Sequence, residues 1–90
     1  MVEITIIQAS MSYSKEDGYI GTVAFTVEGH SEPYEVALQS KKGKDWAYSL
    51  LFRHGSGKEE DILALEERLE EDDELFDRLV DAAMAAYREA

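Results

Sequence analysis

The chain has 90 residues, 44% of them hydrophobic and 32% charged, with a formal net charge of −11 and no cysteine. A chain this short buries only about 60–65% of the surface it exposes unfolded, which limits it to one domain of about one sheet layer and one helix layer. Disulfides and thiolate metal sites are excluded, phosphate backbones and anionic membranes are disfavoured partners, and no apolar run approaches the ~18 residues of a membrane span.

The N-terminus, Met1-Val2-Glu3-Ile4, lacks a basic segment followed by an apolar one. No secretory leader is therefore expected, and the cytoplasm is the default compartment.

Four strands are expected, at residues 2–13, 19–27, 34–40 and 46–53. In the first, Val2, Ile4 and Ile6 alternate on one face, and Ile7, Ala9, Met11 and Tyr13 on the other. The phase flips between Ile6 and Ile7, as a β-bulge or a change of covered face would require. Lys15-Glu16-Asp17-Gly18 reads as a turn, with Gly18 free to take positive φ. In the second strand Tyr19, Gly21, Val23, Phe25 and Val27 share one side, and Ile20, Thr22, Ala24 and Thr26 the other. Residues 29–33 turn the chain again, and Pro33 suits a strand start. The third strand sends Tyr34, Val36 and Leu38 one way, and Glu35, Ala37 and Gln39 the other. After the lysine-rich turn at Lys41, Lys42 and Lys44, the fourth separates Trp46, Tyr48, Leu50 and Phe52 from Ala47, Ser49, Leu51 and Arg53. Connections this short demand antiparallel pairing, because a parallel crossover needs a dozen or more residues.

The last third carries a helical period. Ile62, Leu65, Leu69, Phe76, Leu79, Val80, Ala83 and Tyr87 keep to one side of a 3.6-residue helix. Ser56 and Glu59 have the spacing of a capping box. The stripe falters at Asp72 and Asp73. A single helix would be about 48 Å long and would overhang strands that reach about 30 Å. Two helices are therefore expected, at residues 57–70 and 73–89, with Asp72 capping the second; a single kinked helix is the alternative. The whole reads as an α+β domain of order ββββαα: a four-stranded antiparallel meander with its bulky face covered by the C-terminal pair of helices.

Charge is local. From Glu59 to Asp81 the chain has twelve carboxylates against Arg68 and Arg78, a net of −10. Residues 1–58 are nearly balanced, with seven acids and six bases, and the last nine cancel. Glu66, Glu70, Asp73, Asp77 and Asp81 recur at steps of four, three, four and four, so an unbroken helix would align them. Oxygen ligands of this kind suit calcium or magnesium. The EF-hand loop and the Glu-x-x-His pair of di-iron sites are both missing, so the reading is a solvated acidic face with no metal.

Other motifs dissolve on inspection. Gly55-Ser56-Gly57-Lys58 sits where phosphate loops sit, but Phe52 takes the place of the first glycine and Glu59 that of the Ser or Thr. The stretch reads as a turn and helix start, with Arg53, His54 and Lys58 offering at most a weak anion site. His30 and His54 fall in or beside turns without metal spacing and read as solvated. No serine lies in a G-x-S-x-G elbow. The three lysines of one turn read as a solubilising hairpin tip, so direct nucleic-acid binding is not expected.

These patterns carry no catalytic constellation and no cofactor motif. The expected function is a non-enzymatic interaction or regulatory domain whose acidic face, Glu66, Glu70, Asp73, Asp77 and Asp81, engages a basic protein partner. An inhibitor that imitates nucleic-acid charge is one form of it. A second reading is a homodimer through the uncovered sheet face of Thr22, Ala24, Thr26, Ala37, Ala47, Ser49 and Leu51, which also includes Gln39. A third is a small-molecule site between sheet and helices, near Trp46, Tyr48 and His54.

Overall fold

The computed structural model describes residues 3–89. Four strands, β1 (Ile4–Ser14), β2 (Gly18–Val27), β3 (Tyr34–Ser40) and β4 (Ala47–Phe52), precede two helices, α1 (Glu59–Glu71) and α2 (Asp73–Glu89). The strands form one antiparallel sheet in the order β1-β2-β3-β4. The expected ββββαα α+β fold is the fold observed. The expected start of the first strand at Val2 lies outside the described residues.

The phase flip in the first strand is a bulge. Ile6 pairs with Phe25 and the next partners are Gln8 and Ala24, so Ile7 is the extra residue. One inserted residue turns the rest of the strand over. Ile4 thus faces the core opposite Val27, while beyond the bulge Ala9 and Met11 face it opposite Val23 and Gly21. The tight β1–β2 turn closes at Gly18, where φ is +77°. A Cβ there would stand 2.5 Å from the Ser40 carbonyl oxygen, so both backbone angle and space require glycine.

The core lies between the sheet and the helices. Val23, Phe25, Val36, Leu79 and Ala83 are wholly buried, with Tyr34, Leu38, Leu65, Leu69 and Leu75 nearly so. Burial of large apolar side chains stabilises by roughly 1.5–3 kcal/mol each, before chain entropy is subtracted. Helix α2 packs on β1 and β2, and α1 leans on β4 and on α2. Aromatic rings tie the layers: Tyr87 meets Tyr19 edge-on at 5.7 Å, and Phe76 lies 5.4 Å from Tyr48. Leu75, which the periodic reading passed over, is 4% exposed and continues the buried line from Leu69 to Leu79.

Several local expectations are corrected. Strand β4 begins at Ala47 and ends at Phe52, one residue inside the expected span at each end. Trp46 still packs against the core cluster, with its ring 6.2 Å from that of Tyr19. Arg53 hydrogen-bonds from its backbone N–H to the Pro33 carbonyl at 3.0 Å. The capping box does not form. Lys58 is the N-cap of α1, without a side-chain cap bond, and its carbonyl accepts from Asp61 and Ile62. Helix α1 starts two residues later than expected, which leaves Ser56 exposed in the preceding loop. Glu59, Glu60 and Asp61 meet the positive helix end instead.

Candidate functional site: the acidic helices

The outer surface of the helix layer is built by the same period that builds the core. Leu65 and Leu69 in α1, and Leu75, Leu79 and Ala83 in α2, occupy the inward positions. The intervening positions turn to solvent. Glu66, Glu70, Asp73, Asp77 and Asp81 are all exposed.

They do not form one line. The helix breaks at Asp72, which separates Glu66 and Glu70 on α1 from Asp73, Asp77 and Asp81 on α2. Asp72 makes the break. Its backbone is extended (φ −110°, ψ 94°), and its N–H closes α1 on the Arg68 carbonyl at 2.8 Å. Its Oδ1 accepts the N–H of Leu75 at 3.2 Å, which opens α2. Glu66 and Glu70 stand close enough to Tyr48 of β4 to act on its phenol. Burial raises the Tyr48 pKa above 10.0, and the Glu70 and Glu66 charges add to that rise.

The carboxylates are scarcely used inside the protein. Among the described residues a single ion pair forms, Arg68 Nε to Asp72 Oδ2 at 3.7 Å, and it is partly exposed. Among the same residues no three His, Cys, Asp or Glu side chains are grouped to hold a metal ion.

The glycine-rich loop before α1 has a packing explanation. A Cβ on Gly57 would come within 2.5 Å of Phe52 Cε1, and the Phe52 ring stacks on Tyr34 at 5.4 Å. Glycine is there to admit the ring. His54 is exposed, as expected. His30 is not a solvated turn histidine: it is half-buried, and its Nδ1 lies 2.7 Å from the Tyr34 hydroxyl. Burial, followed by the charge of Asp61, raises the Tyr34 pKa above 10.0. The i, i+4 spacing of His30 and Tyr34 across a turn was the available sequence signal, but Pro33 between them made the contact unreadable.

Trp46, Tyr48 and His54 do not converge on one pocket: Trp46 sits by Tyr19, Tyr48 under Phe76, and His54 in the open loop. A cleft between sheet end and α1, lined by Val27, His30, Ala64, Leu65 and Arg68, holds about 130 Å³. Pockets for drug-sized ligands run from about 300 Å³. A larger hollow of about 390 Å³ lies at the hairpin tip of Ser40, Lys41, Lys42, Lys44 and Asp45. There Lys41 Nζ is already held by the Glu16 carbonyl at 2.8 Å, and Gly43 N–H by Ser40 Oγ at 2.9 Å.

No family model, no curated protein and no solved structure matches this chain. Among the described residues no helix is long and apolar enough to cross a membrane.

Proposed function

We propose that this chain is a small acidic binding domain that engages a basic protein surface through the outer faces of α1 and α2, without catalysis of its own. The observation that supports this reading is the state of Glu66, Glu70, Asp73, Asp77 and Asp81. All five are exposed, and none is in an ion pair among the described residues. Their charge is left to act outward. Such a field mainly speeds association and selects partners of opposite sign. The finer form of the reading is a regulator that occupies the basic groove of a nucleic-acid-binding protein.

The test is affinity capture with the native chain and with a variant combining Glu66→Lys, Glu70→Lys, Asp73→Lys and Asp77→Lys. Circular dichroism checks that both are folded. Basic proteins should be held at low ionic strength, released as salt rises, and lost from the variant. Partners held equally by both forms would overturn the proposal, as would capture of no basic protein.

A further inference from the structure

We infer that the hollow at the β3–β4 hairpin tip is a binding site for a small phosphate monoester, held as its dianion by Lys41, Lys42, Lys44 and the hydroxyl of Ser40.

The first argument is charge. On a molecule of net charge −11, these three lysines share one turn and all are exposed. None of them forms an ion pair among the described residues, where the single pair is Arg68 with Asp72. Twelve carboxylates lie between Glu59 and Asp81, yet the acid that lines the hollow is Asp45 alone. Three cations against one carboxylate leave a local charge of +2. That complements a phosphate monoester above its second pKa of about 6.

The second argument is a buried donor. Ser40 lines the hollow and is 4% exposed. Its Oγ accepts the Gly43 N–H at 2.9 Å. A hydroxyl also has a proton to donate, and among the described residues no acceptor receives it. A phosphate oxygen supplies that acceptor. Lys41 has donors to spare as well. Its Nζ donates one N–H to the Glu16 carbonyl at 2.8 Å, and an ammonium carries three.

The tip is also held in place before any ligand arrives. The Lys41–Glu16 bond ties it to the β1–β2 turn. The two turns are in close contact, since a Cβ on Gly18 would stand 2.6 Å from Lys41 Cα. A Cβ on Gly43 would stand 3.3 Å from the Tyr19 ring beside it. Such preorganisation lowers the ordering cost of binding.

The third argument is size, and it selects the class. The hollow of about 390 Å³ falls within the range of small-molecule pockets, about 300–1,000 Å³. A phosphate group alone fills only a fraction of it. The methylene stems of the lysines offer apolar contact to the remainder, so the ligand is an ester with a small organic body. Lysine binds phosphate as a point charge, whereas a carboxylate is matched better by the planar fork of arginine, and no arginine lines the hollow. A nucleic-acid strand needs a basic track along its backbone, and this patch is confined to one turn of an acidic molecule.

Equilibrium dialysis of phenyl phosphate against the full chain tests this. Salt at about 0.15 M screens beyond ~8 Å and suppresses the general exclusion of anions by an acidic protein. One phenyl phosphate should bind per chain, with a dissociation constant of about 0.1–1 mM. Benzenesulfonate, similar in shape but singly charged, should bind several-fold more weakly. Lys42 and Lys44 are exposed, so Lys42→Ala combined with Lys44→Ala should leave the fold intact by circular dichroism and weaken binding at least tenfold. Lys42→Arg combined with Lys44→Arg should keep most of it. No excess of phenyl phosphate on the protein side overturns the inference, as does equal binding by the alanine variant. Benzenesulfonate bound as tightly overturns it too, and so does a short single-stranded oligonucleotide held more tightly than phenyl phosphate. These substitutions leave the helix surface unaltered, so failure here is distinguishable from failure of the acidic-surface reading.

Discussion

Asp72 Oδ1 accepts the backbone N–H of Leu75 at 3.2 Å. The same residue closes one helix by donating to the Arg68 carbonyl and opens the next with its side chain. The angle between the helices, and with it the seating of Leu69 and Leu75 in one core, depends on this residue.

Asp72→Ala should therefore destabilise the fold by about 1 kcal/mol, within the 0.5–2 range for lost caps. Asp72→Asn should keep most of that stability, since asparagine caps as well as aspartate and only the partly exposed pair with Arg68 is lost. Urea denaturation of the three proteins decides it. Equal losses in both variants would mean that the carboxylate charge, and not the cap, holds the break.

Leu79 is wholly buried between α2 and the sheet. Leu79→Ala should cost about 2–5 kcal/mol, the transfer term plus the cavity left behind. A small domain has only about 5–15 kcal/mol in all. The variant should melt far below the native protein in a thermal scan, whereas Leu63→Ala, at an exposed position, should melt close to it.

Gly18→Ala combines a left-handed backbone angle with collision against the Ser40 carbonyl and Lys41. A non-glycine residue in that region costs about 1–3 kcal/mol from the backbone alone. Denaturant midpoints should show at least that loss. Gly29→Ala, where φ is also positive but a Cβ meets nothing within 4 Å, should lose less.

Tyr34 and Tyr48 both ionise above 10.0, Tyr34 because of burial and Asp61, Tyr48 because of burial and then Glu70 and Glu66. Since the folded value exceeds the unfolded one, their contribution to stability is complete below pH 10.0. It is lost as pH rises through the folded values. Tyrosinate absorbance should show two late-titrating phenols, and stability should fall on the alkaline side of 10.0. Glu66→Gln with Glu70→Gln should bring the Tyr48 titration to lower pH. An unchanged titration would show that the two carboxylates do not act on Tyr48.

The acidic helices should gain from salt. Raising ionic strength from about 0.01 to 0.15 M shortens the screening length from about 30 to 8 Å, which relieves repulsion among twelve carboxylates set against two arginines between Glu59 and Asp81. The melting temperature should rise over this interval, and less so in the lysine variant. A native protein insensitive to salt would show the repulsion to be negligible.

Most of the fold was legible because two periods are written plainly. Alternation in residues 19–27, 34–40 and 46–53 set the sheet faces, and steps of three and four set the inward side of both helices. The bulge was legible as a phase error at Ile6 and Ile7, and the helix break as a carboxylate pair where an apolar residue belonged. The helix start was not, because Ser56 and Glu59 have cap spacing, yet α1 begins at Glu59 with Lys58 as its N-cap and no side-chain cap bond. The His30–Tyr34 contact and the reach of Arg53 to Gln8 were also hidden. The first had only an i, i+4 spacing interrupted by Pro33 to announce it, and the second, Arg53 Nη2 to Gln8 Oε1 at 3.3 Å, joins residues 45 apart in the chain, which no local pattern records. The exposure of the acidic series could be expected from periodicity, but its division over two helices needed the geometry of Asp72.

The extra residue at Ile7 has a kinetic side. In a regular hairpin, sliding one strand by two residues preserves which side chains point inward, so misaligned pairings are cheap to visit. Here the two halves of β1 are phased oppositely, so the inward side chains on either side of Ile7 can share the core only while the inserted residue stays where it is. Formed elsewhere along the strand, it would turn the intervening residues of this edge strand to the outer surface.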